Sequence, residues 1–445
     1  MRRSWNPIVH VVLLLLLALT ARSAACVWWQ SRLTERFGFP DSESYWVLAE
    51  RIADGRSYQS GPSGDRIHRA PGYPLILAAW FRLWGDHPPV WWARALSVLL
   101  GTSAVAGVYA LGRLIRDDDQ KHRRGMIAGI IAALYPGAIG LGVFPLSEAP
   151  FCPLMVLQLA LAVVAWKASG NRGGLLAFAA GLVAGAAVLT RPSWLLFTPV
   201  AAMVACVARR DWDALRWGGL MTLGLAVAMT PWWVRNARLT GGFVPTTLQV
   251  GASLYDGWNP HADGSSNMDF VPEFRRELAR EWSESTDEKT LDEQDVQEIA
   301  ARHGVRFEQE LDRGMKQAAM SWALGHPARA AELMVVKFFR MWNPWPNEPR
   351  FRSLWLCLAT AGSYLPLLAL TAVGAIAFRR EPGVIPLMLA PAVYFTLLHV
   401  VFAASLRYRQ PALLPWMAVA ALTLSLASAR KSSSENSPGQ SSDAS

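Results

Sequence analysis

Apolar residues along this chain fall in long runs, each close to the ~20 residues that an α-helix needs to cross a bilayer. These runs predict spans at 7–28, 89–112, 125–145, 149–166, 173–190, 192–208, 217–234, 352–378, 383–403 and 411–429. The composition agrees, because 52% of the 445 residues are hydrophobic and only 17% are charged. The sequence therefore predicts an all-α polytopic membrane protein with about ten transmembrane helices and amphipathic helices on its outer loops.

Basic residues alternate between the loops, and this pattern predicts the orientation. Short loops on one side carry an excess of Lys and Arg, which is typical of the cytoplasmic side: Arg2 and Arg3, 113–124, 167–172, 209–216, Arg379 and Arg380, and Arg430 and Lys431. The opposite side then holds the loops at 29–88, 145–148, 235–351 and 406–410, and both termini are cytoplasmic. We expect a multi-pass protein of a bacterial inner membrane, with its chemistry on the outer (periplasmic) face.

The apolar segment 73–87 is too short for a crossing and is typical of an interfacial or re-entrant helix. If it were counted as a span, every later loop would be assigned to the opposite side of the membrane, which contradicts the distribution of Lys and Arg. Arg2 and Arg3 before an apolar run could also begin a signal peptide, but that run continues through Trp28 and Trp29, as a retained span would.

The same reasoning divides the chain into four parts. Residues 1–234 form a catalytic transmembrane module with the first outer loop at 29–88, and 235–351 form an extracytoplasmic helical subdomain. Residues 352–429 form the C-terminal transmembrane helices. The Ser-rich stretch 430–445 is predicted to be a disordered cytoplasmic tail.

Charge and cysteine usage exclude several classes of function. The net charge of +9 is explained by basic loops that orient the spans, so we expect no nucleic-acid partner. The four cysteines lie within apolar spans, and the eight histidines show no ligand-like spacing. No metal site or required cofactor is therefore predicted, although paired carboxylates leave a divalent metal possible.

Two acidic residues on outer loops are candidates for catalysis. Asp41 follows Pro40 at the start of a helical pattern and could act as a base or merely cap the helix. Glu148 lies in the tight turn 145–148, where a charge close to the bilayer is costly, and it could also be a cap. If the two carboxylates converge, they could divide the work of a base and an orienting group, and each would raise the pKa of the other.

Cationic and aromatic side chains on the same side are candidates for binding an anionic substrate. The guanidinium fork matches a pair of phosphate oxygens, although each arginine could instead extend to lipid headgroups. Arg191 is the hardest to explain in that way, because it sits between two apolar spans with almost no loop. The candidate binding residues are Tyr45, Arg69, Tyr73, Arg191, Arg235, Asn236, Arg407 and Arg409.

Six short motifs, in this order, resemble the integral-membrane glycosyltransferases of the GT-C fold. The similar group takes sugar from polyprenyl-phosphate donors, as protein O-mannosyltransferases and aminoarabinose transferases do. The motifs are D-x-x-x-Y-x-x-L-A (from Asp41), R-x-P-G-Y-P (from Arg69), S-E (Ser147, Glu148), T-R-P (190–192), P-W-x-x-R-N (from Pro231) and R-Y-R-x-P (from Arg407).

This resemblance implies an inverting glycosyltransferase that moves a hexose or pentose from a polyprenyl-phosphate donor. Asp41 would be the general base, Glu148 would match the second acidic position, and Arg69, Arg191, Arg407 and Arg409 would be candidates for the phosphate. The acceptor, which could be a glycolipid, a glycan or a protein, is not determined. A lipid-linked-sugar flippase or another transporter is the alternative, and it would require charges deep within several spans.

Overall fold

The computed structural model describes residues 6–32, 36–61, 64–168, 170–210, 212–283, 291–379 and 383–435. Within these ranges the regular elements are helices joined by loops, and the only extended pairing is an isolated bridge between Ser60 and Asp65. The α-helices are α1 (Pro7–Gln30), α2 (Pro40–Ala53), α3 (Gly72–Trp84), α4 (Val90–Leu114), α5 (Lys121–Leu134), α6 (Pro136–Leu141), α7 (Glu148–Lys167), α8 (Gly170–Thr190), α9 (Phe197–Arg209), α10 (Trp212–Thr240), α11 (Val250–Gly257), α12 (Val271–Trp282), α13 (Glu293–His303), α14 (Val305–Gly325), α15 (Pro327–Trp342), α16 (Leu354–Ala377), α17 (Val384–His399) and α18 (Leu406–Glu435).

A helix lies at the position of each span that the apolar runs predict. Five helices of the described chain are long and apolar enough to cross a membrane by length and composition: α1, α4, α7, α8 and α16. The all-α polytopic fold is thus confirmed, and the chain is an integral multi-pass membrane protein.

Predicted boundaries differ from the structure at several helix ends, and most clearly at two places. The run 125–145 is not one helix, because α5 ends at Leu134 and α6 begins at Pro136. Proline disfavours a helical conformation in the residue before it, and Tyr135 is extended with φ −69° and ψ 118°. At the other end of the chain, α18 continues through Glu435, so the first residues of the predicted disordered tail are helical. Residues 436–445 lie outside the described residues.

Close backbone approaches hold the central helices together. A Cβ atom on Gly181 of α8 would lie 2.1 Å from the carbonyl oxygen of Met221 in α10. Only glycine permits this separation, and small residues serve this purpose in many membrane helix pairs. Helix α18 packs against α4, α5, α16 and α17, and its residues from Ala412 to Leu422 are almost fully buried.

Helices α2 and α3 cover one end of this bundle, next to the start of α4. Their shared core contains Tyr45, Trp46, Tyr73 and Phe81. The 13-residue α3 occupies the short segment that the sequence predicts to be interfacial. Its first residue, Gly72, is so close to α8 that a Cβ atom would lie 2.6 Å from the Leu189 carbonyl oxygen. The loop before α3 is therefore held beside the end of α8.

Helices α11 to α14 form a small subdomain with its own hydrophobic core, which includes Ala279, Phe307 and Met315. The subdomain is tied to the bundle through Lys337 of α15. The Lys337 ammonium donates to the carbonyl oxygens of Gly257, at 2.8 Å, and Val401, at 2.9 Å. The 235–351 segment contains helices α11 to α15, and its first residues belong to α10, which ends at Thr240.

Candidate functional site

Asp41 lies in the first turn of α2 and faces two arginines. Phe39 is the N-cap and Pro40 the first helical residue, so Asp41 is not the cap residue itself. Its Oδ1 accepts a hydrogen bond from Nη2 of Arg69 at 2.8 Å, and its Oδ2 accepts one from Nη1 of Arg407 at 3.1 Å. The carboxylate is therefore clamped between two guanidinium groups, and a purely capping role is not what the structure shows.

Glu148 begins α7 and has no exposed side-chain surface. Its carboxylate binds Arg191 at 2.7 Å and accepts a hydrogen bond from Nη2 of Arg407 at 2.9 Å, and Nε of Arg407 also donates to it. Ser147 precedes it as the N-cap without a side-chain capping bond. The two arginines compensate the negative charge of this buried carboxylate, which would otherwise be costly in low-dielectric surroundings.

The contacts join five side chains into one row, which we call the arginine–carboxylate cluster: Arg69, Asp41, Arg407, Glu148 and Arg191. In the same order, these residues lie in the loop before α3, in α2, in α18, in α7 and directly after α8. Arg407 stands between the two acids and binds both. The expectation that Asp41 and Glu148 face each other as like charges is therefore wrong, because a guanidinium group separates them.

Electrostatics in the cluster favour the charged forms. Burial would raise the pKa of Asp41, but the charges and hydrogen bonds of Arg69 and Arg407 outweigh it and hold that pKa well below its usual range. Burial would likewise lower the pKa of Arg69, yet Tyr45 and Asp41 raise it. With three arginines and two carboxylates, the cluster carries one net positive charge.

Aromatic rings surround the cluster. The Arg69 guanidinium carbon lies 5.2 Å from the centre of the Tyr45 ring, and Tyr45 meets Tyr73 edge to face at 5.1 Å. At the other end, Tyr408 lies 5.3 Å from the guanidinium carbon of Arg191 and stacks on His399. The rings support the arginines by cation–π contacts and limit where their forks can point.

Three of the predicted binding residues lie apart from the cluster. Arg235 donates to the Arg66 carbonyl oxygen and packs over Trp232, and Asn236 is fully buried with its amide directed at the Thr246 carbonyl. Arg409 is fully buried too. It donates to the carbonyl oxygens of Met341 and Asn343, and its guanidinium carbon lies 3.9 Å from the centre of the Tyr364 ring. These contacts are structural, since they join helices and loops.

The structure adds a residue that the sequence reasoning missed. Glu308 of α14 is buried, and its carboxylate accepts the backbone N–H groups of Arg66 at 2.9 Å and Ile67 at 3.0 Å. Burial and the nearby Asp65 raise the pKa of Glu308 to about 7, against the two N–H groups and Arg275. Glu308 holds the loop that ends in Arg69. An acid on an amphipathic surface helix gives no sequence signal for such a contact.

Arg22 was missed as well. It lies inside α1 with 1% exposure and donates to the carbonyl oxygens of Ala18, Ala132 and Ala133. A small cavity lined by Arg22, Glu148 and Cys152, among others, separates it from the cluster. The sequence did contain a signal for a buried polar contact here, because Arg22 lies within an otherwise apolar run.

Among the described residues, no group of three or more His, Cys, Asp or Glu side chains lies together as metal ligands would. The two acids of the cluster are instead bound by arginines.

No family model matches this sequence, and no curated protein sequence matches it. Solved structures do. The oligosaccharyltransferase of Archaeoglobus fulgidus in the apo form superposes with a TM-score of 0.58 at 13% identity, over 97% of this chain and 52% of that chain. This archaeal enzyme is a membrane glycosyltransferase of the GT-C fold. The chain has the GT-C fold.

The same archaeal protein, AglB, matches when it holds an inhibitory peptide and a dolichol-phosphate, with a TM-score of 0.58, 14% identity and coverage of 98% of this chain and 52% of that chain. The GT-C chain described here spans about half the length of these oligosaccharyltransferases. ArnT from Cupriavidus metallidurans, bound to undecaprenyl phosphate, gives a TM-score of 0.42 at 15% identity over 95% of this chain and 79% of that chain. A score that low adds nothing to the fold assignment.

Proposed function

We propose that this protein is an inverting glycosyltransferase that moves a sugar from a polyprenyl-phosphate donor to an acceptor on the outer face of a bacterial inner membrane. One observation carries the proposal: the fold brings Arg69, Asp41 and Arg407 together at one end of a membrane bundle. The GT-C fold supports it, and AglB, which has this fold, holds a dolichol-phosphate, a lipid of the polyprenyl-phosphate class proposed here for the donor.

The chemistry needs one base and one site for a leaving phosphate. The acceptor oxygen forms a bond to the anomeric carbon while the bond from that carbon to the phosphate oxygen breaks, and its electron pair goes to the phosphate. The acceptor proton goes to Asp41. Because attack comes from the face opposite the phosphate, one displacement inverts the anomeric carbon.

The leaving group gains negative charge as this bond breaks. A phosphate monoester carries roughly −1.5 to −2 at neutral pH, whereas the donor phosphodiester carries one negative charge. Arg69 and Arg407 are placed to neutralise this charge with guanidinium forks. The arginines perform the task that a metal ion performs elsewhere, so the proposal includes no required cofactor.

Glu148 and Arg191 support Arg407 in this scheme. Glu148 is more deeply buried than Asp41, whose side chain is 35% exposed. Its contacts with Arg407 use the Nε and Nη2 edge and leave Nη1 directed at Asp41. Glu148 is therefore proposed as a positioning residue, and Asp41 as the base.

The test uses purified protein in liposomes, a panel of undecaprenyl-phosphate-linked hexoses and pentoses, and an envelope fraction as the source of acceptor. We expect one donor to release undecaprenyl phosphate, and Asp41→Asn to reduce the turnover by ~100-fold or more. Glu43→Gln is the matched control, because Glu43 lies exposed on the same helix and should keep its activity. Movement of intact lipid-linked sugar across the bilayer without release of the phosphate would instead identify the transporter.

A further inference from the structure

The position of Asp41 raises a difficulty for its role as a base. A general base needs a pKa near the working pH, whereas two arginines hold the pKa of Asp41 far below that range. Both carboxylate oxygens are occupied as well, one by Arg69 and one by Arg407. In this arrangement Asp41 has little tendency to take a proton.

The geometry of the clamp also matches another anion. Asp41 presents two oxygens to two guanidinium groups, and a phosphate group has the same pattern of oxygens. Arg69 and Arg407 are the two cations nearest the base in the cluster. The donor phosphate and the Asp41 carboxylate therefore need the same two partners.

The structure also indicates which contact of Arg407 gives way. Glu148 binds Arg407 through two donor atoms in a fully buried position, and Arg191 holds Glu148 from the other side. Asp41 binds Arg407 through one donor atom at 3.1 Å, and its side chain is 35% exposed. Arg69 keeps a second anchor, since its Nη1 donates to Gln249 at 3.3 Å. Both arginines can thus stay in place while Asp41 leaves.

We propose that the donor phosphate displaces Asp41 from between Arg69 and Arg407, and that this exchange releases Asp41 to act as the base. The inference rests on the proposed function, since it assigns the phosphate site to the position that Asp41 occupies in the resting protein. Base release then follows donor binding, so the acceptor is deprotonated only when a sugar is present to receive it. After transfer, Asp41 gives the acceptor proton to the surrounding water, and the return of its carboxylate to the two arginines expels the polyprenyl phosphate.

The experiment measures binding of undecaprenyl phosphate, without sugar, to the full-length protein in detergent by quenching of tryptophan fluorescence. If Asp41 competes with phosphate, Asp41→Asn removes the competing charge and should bind about tenfold or more tightly than the wild type, because a blocked site lowers apparent affinity by the blocked fraction. The same variant is expected to lose turnover. Affinity and activity should thus change in opposite directions.

Two variants serve as controls. Glu43→Gln removes an acid from the same helix and should bind with wild-type affinity. Asp41→Ser also lacks the carboxylate and provides a second test should the asparagine variant fail to fold.

The outcomes separate this inference from the proposed function. Equal or weaker binding by the Asp41 variants, with measurable binding by the wild type, would overturn the displacement and leave the donor class intact. Absence of binding by the wild type and by both Asp41 variants would overturn the donor class, and the displacement with it. Tighter binding by the Asp41 variants alone supports the exchange.

Discussion

The contact between Arg407 and Glu148 is the interaction on which the cluster depends, and its strength can be predicted. Arg407 donates two hydrogen bonds to a carboxylate that has no exposed surface, and the Arg407 side chain is 19% exposed. Removing one partner of a buried ion pair typically costs ~3–5 kcal/mol, because it leaves the other charge without compensation. In Arg407→Ala, Arg191 still binds Glu148, and Arg69 still binds Asp41. We therefore expect the lower end of that range, about 3 kcal/mol.

A double-mutant cycle isolates the pair from these secondary effects. Glu148→Gln should also cost about 3 kcal/mol, since it leaves Arg407 and Arg191 facing each other without a carboxylate between them. The double variant should cost less than the sum by about 2 kcal/mol, in the range measured for residues in direct contact. The assay is the free energy of unfolding of each variant from a titration with denaturing detergent.

The chain offers a matched control pair. Lys121 and Asp117 form an ion pair at 3.2 Å, four residues apart, and both side chains are largely exposed. Exposed pairs of this kind contribute only ~0.3–0.5 kcal/mol, so their cycle should show almost no coupling. A coupling between Arg407 and Glu148 as small as that of the control would refute the argument that burial makes this contact strong.

Four further predictions follow from the same contacts. Arg69→Lys should lower turnover by more than ~10-fold, because a compact ammonium cannot reproduce the guanidinium fork, which reaches Asp41 and Gln249 through separate nitrogens. Steady-state kinetics measure this change. Arg409→Ala should lower thermal stability but leave the affinity for undecaprenyl phosphate unchanged, since Arg409 binds the Met341 and Asn343 carbonyls. Weaker phosphate binding by this variant would show that Arg409 takes part in the phosphate site. Removal of divalent metals with a chelator should leave turnover unchanged, because in the proposed scheme arginines neutralise the leaving phosphate, and activity restored only by added metal would contradict this. The pKa of Glu308 is raised to about 7, so the folded protein binds the Glu308 proton more tightly than the unfolded chain does. The contribution of Glu308 to the free energy of unfolding should therefore fall as the pH rises from about 4.5 to 7. Melting temperatures of the wild type should show this slope, and those of Glu308→Gln should lack it.

The sequence by itself determined the fold and much of the site. Apolar runs near the length of a bilayer predict the helices, since that length is a property of the chain alone, and the motifs name all five residues of the cluster. The predicted span at 125–145 is divided in the structure at Pro136, whose effect on the conformation of Tyr135 is local and could have been predicted from the sequence. Arg69, Arg191 and Arg407 could also be named as candidates for binding an anion, because the guanidinium fork matches a pair of phosphate oxygens.

Tertiary structure alone decided which residues meet. Asp41 and Arg407 are 366 positions apart, and no periodicity or spacing encodes a contact between side chains so distant in the chain. For the same reason the sequence could not distinguish the roles of Arg407 and Arg409, which are two residues apart on the same helix. Arg407 lies between the two acids, whereas Arg409 donates to the carbonyl oxygens of Met341 and Asn343. The role of Glu308 could not be predicted for a related reason. Its carboxylate accepts backbone N–H groups of a loop that is distant in the sequence, and this contact depends on how the two segments pack. Local physical chemistry sets the helices and the kinds of side chain at each end, whereas the packing of those helices determines the pairs that carry the chemistry.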